Sequence, residues 1–341
     1  MIEEILSGIF RIEMPLPFSA LQSVNCYLLK GEDRNLAIDT GMDTEECRSI
    51  FMDALRKLEF DIEKTDFFIT HTHEDHFGLT HIVAPGNSTI YMNSPDIITW
   101  AVPSRWRETG IKHGKKNGFP LDDLHEYFGR EHLFLKKLPL KEIGLAVEAY
   151  EEGLAPRGGR FRIIDDGEII NIGEFSFLCL LTRGHSTGHL CLYEPRLKLL
   201  FSGDHILETI TPSILLWSEE DDNPLYDYLN SLNRLLEMDV NIVLPGHREV
   251  FRNFRGRISE IKEHHRIREG EIAGALDARG KSGYEIASKV SWSIPFAWEK
   301  FATDLKWMAL AETMAHLKYM ETNNRVRKET IESGQDLYYI D

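Results

Sequence analysis

Two separate parts of the chain alternate apolar and polar residues with the period of β-strands. The first part carries the runs GIFRIEM, VNCYLLK and NLAID between Gly8 and Asp39, then an amphipathic helix predicted from Thr44 to about Phe60, then TDFFIT. The second part carries RFRIID, FSFLCLLT, HLCLYE and LKLLFSGD between Arg160 and Asp204, then a helix near Leu225–Glu237 and the run NIVLPGH. This pattern predicts an α/β fold of two half-sheets with helices outside them.

The pattern becomes helical from about Arg257. RISEIKEHHRIREGEIAGAL and SGYEIASKV read as helices, and a third helix is predicted from Pro295 to Glu321. Its predicted buried face has apolar residues at spacings of three and four: Trp298, Phe301, Leu305 and Met308. The tail NRVRKETIESGQDLYYI alternates like a hairpin that turns at SGQD. Three helices and a hairpin predict a winged-helix-like module, for which we expect a role in packing or in a homodimer.

These patterns predict two domains. The larger one covers residues 1–255 and includes a helix-rich insertion at about 94–156, which we expect to lie over the polar cluster described below. The smaller one covers residues 256–341.

Composition narrows the range of partners. A content of 42% hydrophobic residues in 341 provides a core, and the formal net charge of −16 disfavours nucleic acid as a partner, so we expect a small-molecule substrate. The start MIEEILSGIF lacks the positive charge of a secretory signal, and no apolar run approaches the roughly 20 residues that span a membrane. The prediction is a cytoplasmic protein without membrane contact. Four scattered cysteines are expected to be reduced and packed in the core: Cys26, Cys47, Cys179 and Cys191.

The stretch FFITHTHEDHFG, residues 67–78, concentrates histidines and acids directly after a strand-like run. Imidazole and carboxylate groups this close repel one another or lose hydration unless a cation lies between them, and both are good ligands for zinc and iron. The alternate residues His71, His73 and Asp75 point toward one place, and His76 faces a neighbouring one. Two adjacent metal ions are therefore predicted.

Three later strand-like runs end in further candidate ligands. His185 follows FLCLLT, Asp204 follows LKLLF, and His247 follows NIV. The predicted sets are His71, His73 and His185 for the first metal, Asp75, His76 and His247 for the second, and Asp204 as a bridge. This count leaves a coordination position for water.

The motifs HTHEDH, TRGHSTGH, FSGDH and LPGH, with NCYLL and IDTG before them, resemble those of the metallo-β-lactamase superfamily over about residues 5–255. The resemblance implies a four-layer αβ/βα sandwich. It also implies that Asp39 of IDTG hydrogen-bonds around the metal loop. The C-terminal part resembles the winged-helix extension of one branch of the family, which includes thioesterases and endoribonucleases.

The predicted cofactor is a pair of divalent metal ions, zinc in the first place, with iron or manganese as alternatives. Asp75 is the predicted catalytic residue, which orients the nucleophilic water and passes its proton on. His189 and His205 lie close to predicted ligands in sequence and are candidates for a supporting or substrate-binding role. The other histidines are expected to be ordinary surface or core residues: His81, His113, His125, His132, His264, His265 and His316.

Three activities fit this centre. The first is hydrolysis of a small carboxylic thioester, ester or lactone, because lactamases of the family commonly have cysteine where this chain has Asp204, which makes the site resemble glyoxalase II and lactonases. The second is an endoribonuclease or phosphodiesterase, although from Gly256 onward 13 Lys and Arg face 14 Asp and Glu, which is not a basic surface. The third is a mononuclear iron persulfide dioxygenase that uses only His71, His185 and Asp204.

Overall fold

The computed structural model describes residues 1–17, 21–93, 103–129, 160–219 and 222–340. These residues group into two compact units. The first unit draws on Met1–Ala101, Lys137–Pro212 and Arg234–Arg257, and the second on Val102–Lys136, Ser213–Asn233 and Ile258–Asp341.

The first unit contains two β-sheets. The larger one has seven strands in chain order: β1 (Ile2–Leu6), β2 (Ile9–Pro15), β3 (Ser23–Leu29), β4 (Asn35–Ile38), β5 (Thr65–Phe68), β6 (Thr89–Met92) and β7 (Arg160–Ile163). β1 to β4 pair antiparallel and β4 to β7 pair parallel, so β4, β5 and β6 all end at the same edge of the sheet.

The second sheet has the order β12-β11-β10-β9-β8. Its strands are β8 (Ile169–Ile172), β9 (Phe175–Leu181), β10 (Leu190–Glu194), β11 (Leu199–Gly203) and β12 (Ile242–Pro245). β11 and β12 pair parallel, and the other neighbours pair antiparallel.

The core of the first unit lies on both faces of the larger sheet. One apolar cluster joins side chains of the two sheets, such as Leu36 and Phe68 with Phe177 and Phe201, so the sheets pack face to face. A second cluster lies on the other face of the larger sheet, where helix α1 (Glu45–Lys57) buries Phe51 and its apolar neighbours. The order helix, sheet, sheet follows from alternation of inward and outward residues along each strand.

Two one-turn helices, α2 (Glu74–Phe77) and α3 (Thr80–Val83), follow β5. The further helices are α4 (Pro103–Lys116), α5 (Leu121–Gly129), α6 (Pro224–Leu235), α7 (Phe254–Ala275), α8 (Gly283–Ala287) and α9 (Thr303–Thr322). Strands β13 (Arg327–Thr330) and β14 (Asp336–Tyr339) form an antiparallel hairpin.

The second unit is built around Trp307 of α9, which is 1% exposed. The rings of Phe119 and Phe128 contact it edge-on, with centroids 5.6 and 5.2 Å away. The described helices of the predicted insertion, α4 and α5, therefore belong to this unit. Residues 94–102 and 130–156 of that insertion, with His132, lie outside the described residues. The boundary at residue 255 and the insertion's place over the polar cluster stay predictions.

The third predicted helix begins later than the sequence pattern indicates. Residues Trp298–Lys300 form a 3₁₀ turn, Phe301 and Ala302 are extended, and α9 starts at Thr303. The predicted buried face is therefore only partly correct: Phe301 is buried, but Met308 is 40% exposed, and the helix buries Trp307 and Leu310. The predicted hairpin is present, and the winged-helix assignment stays a prediction.

All four cysteines are buried and free. Within the described ranges, none of the helices combines the length and apolar character that crossing a bilayer requires.

Candidate metal centre

The histidine cluster begins where β5 ends. All four residues of β5 are buried, and the Ile69 amide donates a hydrogen bond to the carbonyl oxygen of Tyr91 before the chain turns away from the sheet. His71 and His73 come from the turn, and α2 starts directly after His73. A strand that stops and a helix that starts within five residues direct these side chains to one place.

The other predicted ligands come from other strand ends. His185 lies between β9 and β10, Asp204 follows β11 and His247 follows β12 by two residues. Asp39 follows β4 with a positive φ of 56°, a conformation that Asp tolerates better than most residues. The sequence pattern predicts these strand-end positions, and the structure has them.

The first predicted ligand set converges closely. His71 Nε2 lies 2.8 Å from His73 Nδ1, and His185 Nε2 lies 3.1 Å from the same His73 nitrogen. These three residues form one group of atoms able to hold a single metal ion.

The second predicted set, Asp75, His76 and His247, forms another such group. His247 Nε2 lies 3.4 Å from Asp75 Oδ2. A third group, His71, His76 and Asp204, takes one histidine from each set. Asp204 Oδ1 lies 3.4 Å from His76 Nε2, and its Oδ2 lies 3.5 Å from His185 Nε2, so one carboxylate contacts both halves of the centre.

A hydrogen-bond network around Asp39 orients the histidines. The buried Asp39 carboxylate accepts from the Thr70 amide (2.9 Å), from the Thr70 hydroxyl (2.9 Å to Oδ2) and from His76 Nδ1 (2.7 Å). Since the Thr70 hydroxyl donates to Asp39, its oxygen is left to accept from His71 Nδ1 at 3.1 Å. Both histidines therefore donate from Nδ1 and turn Nε2 into the centre.

His247 is oriented from the other end of the chain. Its Nδ1 donates to the carbonyl oxygen of Ser23 at 2.6 Å, which turns its Nε2 into the centre. The Asn25 side chain donates to the carbonyl oxygens of Pro245 (3.0 Å) and Arg248 (2.7 Å), and the Tyr27 hydroxyl donates to Pro245 as well. Strand β3 thus holds the loop that carries the last predicted ligand.

Two glycines allow the loops to approach the centre. A Cβ on Gly246 would lie 2.5 Å from Asp204 Oδ1 and 2.7 Å from His76 Cε1. Gly203, at a φ of +47°, would place a Cβ 2.7 Å from His189 Nε2. A side chain at either position would displace the residues of the centre.

His189 supports Asp204 without being free to bind a metal. Its Nδ1 donates to the Thr182 hydroxyl at 2.8 Å, and its Nε2 accepts from the Asp204 amide at 3.1 Å, so both ring nitrogens are used. His205 is buried, with its ring centroid 5.7 Å from that of His189, and belongs to none of the three described ligand groups.

The electrostatics of the two halves differ. Burial, together with the neighbouring histidines, lowers the pKa of His71 well below its usual value and that of His73 to about 3. Burial lowers the pKa of His76 and His247 too, but the carboxylates, above all Asp204, outweigh it and raise the pKa of His247 to about 10. Burial acts against ionisation of Asp75, yet His76 and His247 hold its pKa at about 2.

The donor set fits two metal ions. The first half offers imidazole nitrogens, and the second offers carboxylates that nearby positive charge stabilises. Among the buried atoms of the predicted ligands, three have no hydrogen-bond partner in the described residues: His76 Nε2, Asp204 Oδ1 and His247 Nε2. Buried polar atoms of this kind are stabilised by a cation that they coordinate.

The centre is open on one side. His73, Asp75 and His185 are only partly buried, whereas His71, His76 and His247 are buried behind them. The side of the centre that carries the first three residues is therefore the more exposed one. Sequence reasoning missed the supporting residues Thr70, Ser23, Asn25 and Tyr27, although the NCYLL motif that carried the family resemblance contains two of them.

Comparison with known proteins agrees with this geometry. The profile of the metallo-beta-lactamase superfamily matches residues 20–247. The probable metallo-hydrolase YqjP of Bacillus subtilis is 25% identical over 329 residues, 93% of each chain. The acyl-coenzyme A thioesterase MBLAC2 of Homo sapiens is 34% identical over 93 residues, 26% of this chain and 32% of the relative.

Among solved structures, a metallo-beta-lactamase family protein from Thermus thermophilus has a TM-score of 0.77 at 24% identity. The match covers 99% of this chain and 100% of the other. It shows the fold, and it confirms the predicted four-layer α/β class.

Proposed function

The chain belongs to the metallo-beta-lactamase superfamily and is a metal-dependent hydrolase, and from this premise we propose that it hydrolyses a small carboxylic thioester at a binuclear metal centre. Esters and lactones are the neighbouring substrate classes. The observation that carries the binuclear assignment is the overlap of three ligand groups, in which His71, His76 and Asp204 link the two outer sets.

We propose that His71, His73 and His185 hold one metal ion, that Asp75, His76 and His247 hold the other, and that Asp204 bridges them. Zinc is the first choice because imidazole and carboxylate ligands suit it, and the same ligands admit iron or manganese. When bound, such ions would lower the pKa of a coordinated water to near 7 and would polarise a carbonyl oxygen.

The protein's own contribution is orientation and proton transfer. Asp39, Ser23 and Thr70 fix the ring nitrogens that face the centre, so that no reorientation is needed during the reaction. Asp75, the carboxylate on the open side, accepts a hydrogen bond from the attacking water and passes its proton toward the leaving group.

The thioester class is supported by the chemistry of its leaving group and by one relative. A thiol with a pKa near 8.5 departs as a thiolate without a strong proton donor, and one partly buried carboxylate is then sufficient. A relative that matches this chain over 93 residues is an acyl-coenzyme A thioesterase.

The test is metal content combined with a substrate panel. Alanine at His71 or His185 removes a ligand of the first metal, so we expect less than two metal ions per chain and loss of thioester hydrolysis by about a hundredfold or more. His125→Ala, at an exposed position of α5, is the matched control and should keep both.

Purified protein would be assayed with acyl-coenzyme A thioesters, lactones, phosphodiesters and RNA, with thiol release and oxygen uptake recorded separately. Full metal loading in His185→Ala would contradict the ligand assignment. A higher kcat/KM on RNA or phosphodiesters would replace the thioesterase proposal with a nuclease, and oxygen uptake with a persulfide would replace it with the dioxygenase.

A further inference from the structure

The second unit contains a cavity of about 130 Å³ that involves none of the candidate metal ligands. Its walls come from α4, the segment after residue 213, α9 and the terminal hairpin. Its lining includes four polar side chains and two apolar ones that matter here: His113, Lys318, Glu321 and Tyr338, with Leu216 and Met314.

His113 is a buried polar group whose hydrogen bonds are unmade. The residue is 2% exposed, and neither of its ring nitrogens has a hydrogen-bond partner among the described residues. Neighbouring Asn117 does not supply one, because its amide donates to the His113 carbonyl oxygen (2.9 Å) and its oxygen accepts from the Tyr338 hydroxyl (3.2 Å). A buried imidazole without hydrogen bonds destabilises the protein unless a molecule in the cavity forms them.

The charges around the cavity are balanced except for one pair. Lys116 contacts both oxygens of Glu219 at 2.8 Å, and Lys328 lies 3.8 Å from Asp336, so each of these cations has an acidic partner. Lys318 and Glu321 lie one turn apart on α9, are half-buried, and take part in no ion pair within the part of the chain that the structure describes. The cavity thus presents one unbalanced ammonium and one unbalanced carboxylate.

We propose that this cavity binds a small zwitterion of the α-amino-acid class. Lys318 contacts the carboxylate of the ligand, Glu321 contacts its ammonium group, and His113 supplies the remaining donor or acceptor. Leu216 and Met314 face the ligand's apolar side chain. The site lies beyond the proposed hydrolase activity and does not depend on it.

Other ligand classes fit less well. An inorganic anion could pair with Lys318 but would meet the repulsion of Glu321. A metal ion would need three convergent ligand atoms, and the described residues of this cavity provide no such group.

Isothermal titration calorimetry on the full-length protein tests the proposal, with L-alanine, L-leucine and L-methionine as probes. Two analogues of leucine carry one charge each: 4-methylpentanoate lacks the ammonium group and 3-methylbutylamine lacks the carboxylate. We expect at least one amino acid to bind with a Kd below about 1 mM and both analogues to bind about tenfold more weakly or worse, since each loses a charge-assisted hydrogen bond.

Lys318→Met and Glu321→Gln should each weaken the binding of the amino acid about tenfold. Lys306→Met is the matched control, because this lysine lies on the same helix and does not line the cavity. The ring ¹⁵N signals of His113 in the wild-type protein should shift on titration, which gives a readout that needs no variant.

Three results would overturn the proposal. They are no binding of any of the three amino acids up to about 10 mM, binding of a singly charged analogue as tight as that of leucine, and His113 ring signals that stay unchanged at saturation. The first of these results would leave water as the occupant of the cavity.

Discussion

Replacing Asp39 should damage the centre although this residue is not a proposed ligand. Asp39→Ala leaves two buried donors, the Thr70 amide and His76 Nδ1, without their acceptor. Each unsatisfied donor costs about 1–3 kcal/mol, so we expect the metal-free protein to lose about 2–6 kcal/mol of unfolding free energy. Loss of a residue that orients a ligand should also weaken metal binding about 10–100-fold.

Asp39→Asn separates charge from backbone conformation. Asparagine tolerates the positive φ of this position, but its amide nitrogen would oppose the N–H of His76. We expect an intermediate loss of stability and a metal affinity close to that of the alanine variant.

Urea unfolding of metal-stripped protein and competition with a chromogenic chelator would measure the two effects independently. Asp33→Asn and Asp33→Ala, at an exposed position before β4, are the matched controls and should change neither. The reasoning is refuted if Asp39→Ala unfolds within about 0.5 kcal/mol of the wild type, which is the range of neutral surface substitutions.

Three further predictions address the rest of the molecule. Asp204→Asn should lower the affinity for both metal ions, because the amide brings no charge to either half of the centre, and elemental analysis that finds two ions and normal turnover would count against the bridge. His189→Ala should destabilise the metal-free protein by about 1–3 kcal/mol, since the Asp204 amide loses its acceptor. His189→Gln, whose side-chain amide both donates and accepts, should restore part of this in urea unfolding. Burial lowers the pKa of His113 to about 4 and that of His316 to about 3, whereas both are protonated near pH 6.5 in the unfolded chain. Their contribution to the free energy of unfolding is therefore complete above pH 6.5 and declines as the pH falls toward the folded-state pKa values. Hydrogen exchange in α9 should therefore report a loss of about 4 kcal/mol between pH 7 and pH 5, and equal protection at both values would contradict the linkage.

Much of the candidate site could be predicted from the sequence, because ligands at strand ends produce a local sequence pattern. An apolar run followed by His or Asp predicts both a strand and the residue at its end, as for His71, Asp204 and His247. The role of His189 lacked such a signature. Its sequence context resembles that of a ligand, and only the positions of Thr182 and the Asp204 amide show that both ring nitrogens are used.

The C-terminal region contains features that local sequence patterns do not predict. Apolar spacing from Trp298 onward fits a helix, but residues 301 and 302 are extended, so Met308 faces solvent rather than the core. The cavity at His113 could not be predicted from the sequence, because its walls bring together residues more than 200 positions apart. Pairings over such distances are decided by tertiary packing.

The hydrogen bonds between strand β3 and the loop that carries His247 have a consequence for biosynthesis. His71 leaves the ribosome 176 residues before His247, an interval of about 9–35 s at 5–20 residues per second. During that time the first histidines and Asp75 are present without the residue that completes their set, and Ser23, Asn25 and Tyr27 lack the loop that they bind. Full metal loading is therefore a late event of synthesis, and a nascent chain stalled before residue 247 would display an incomplete, metal-reactive cluster.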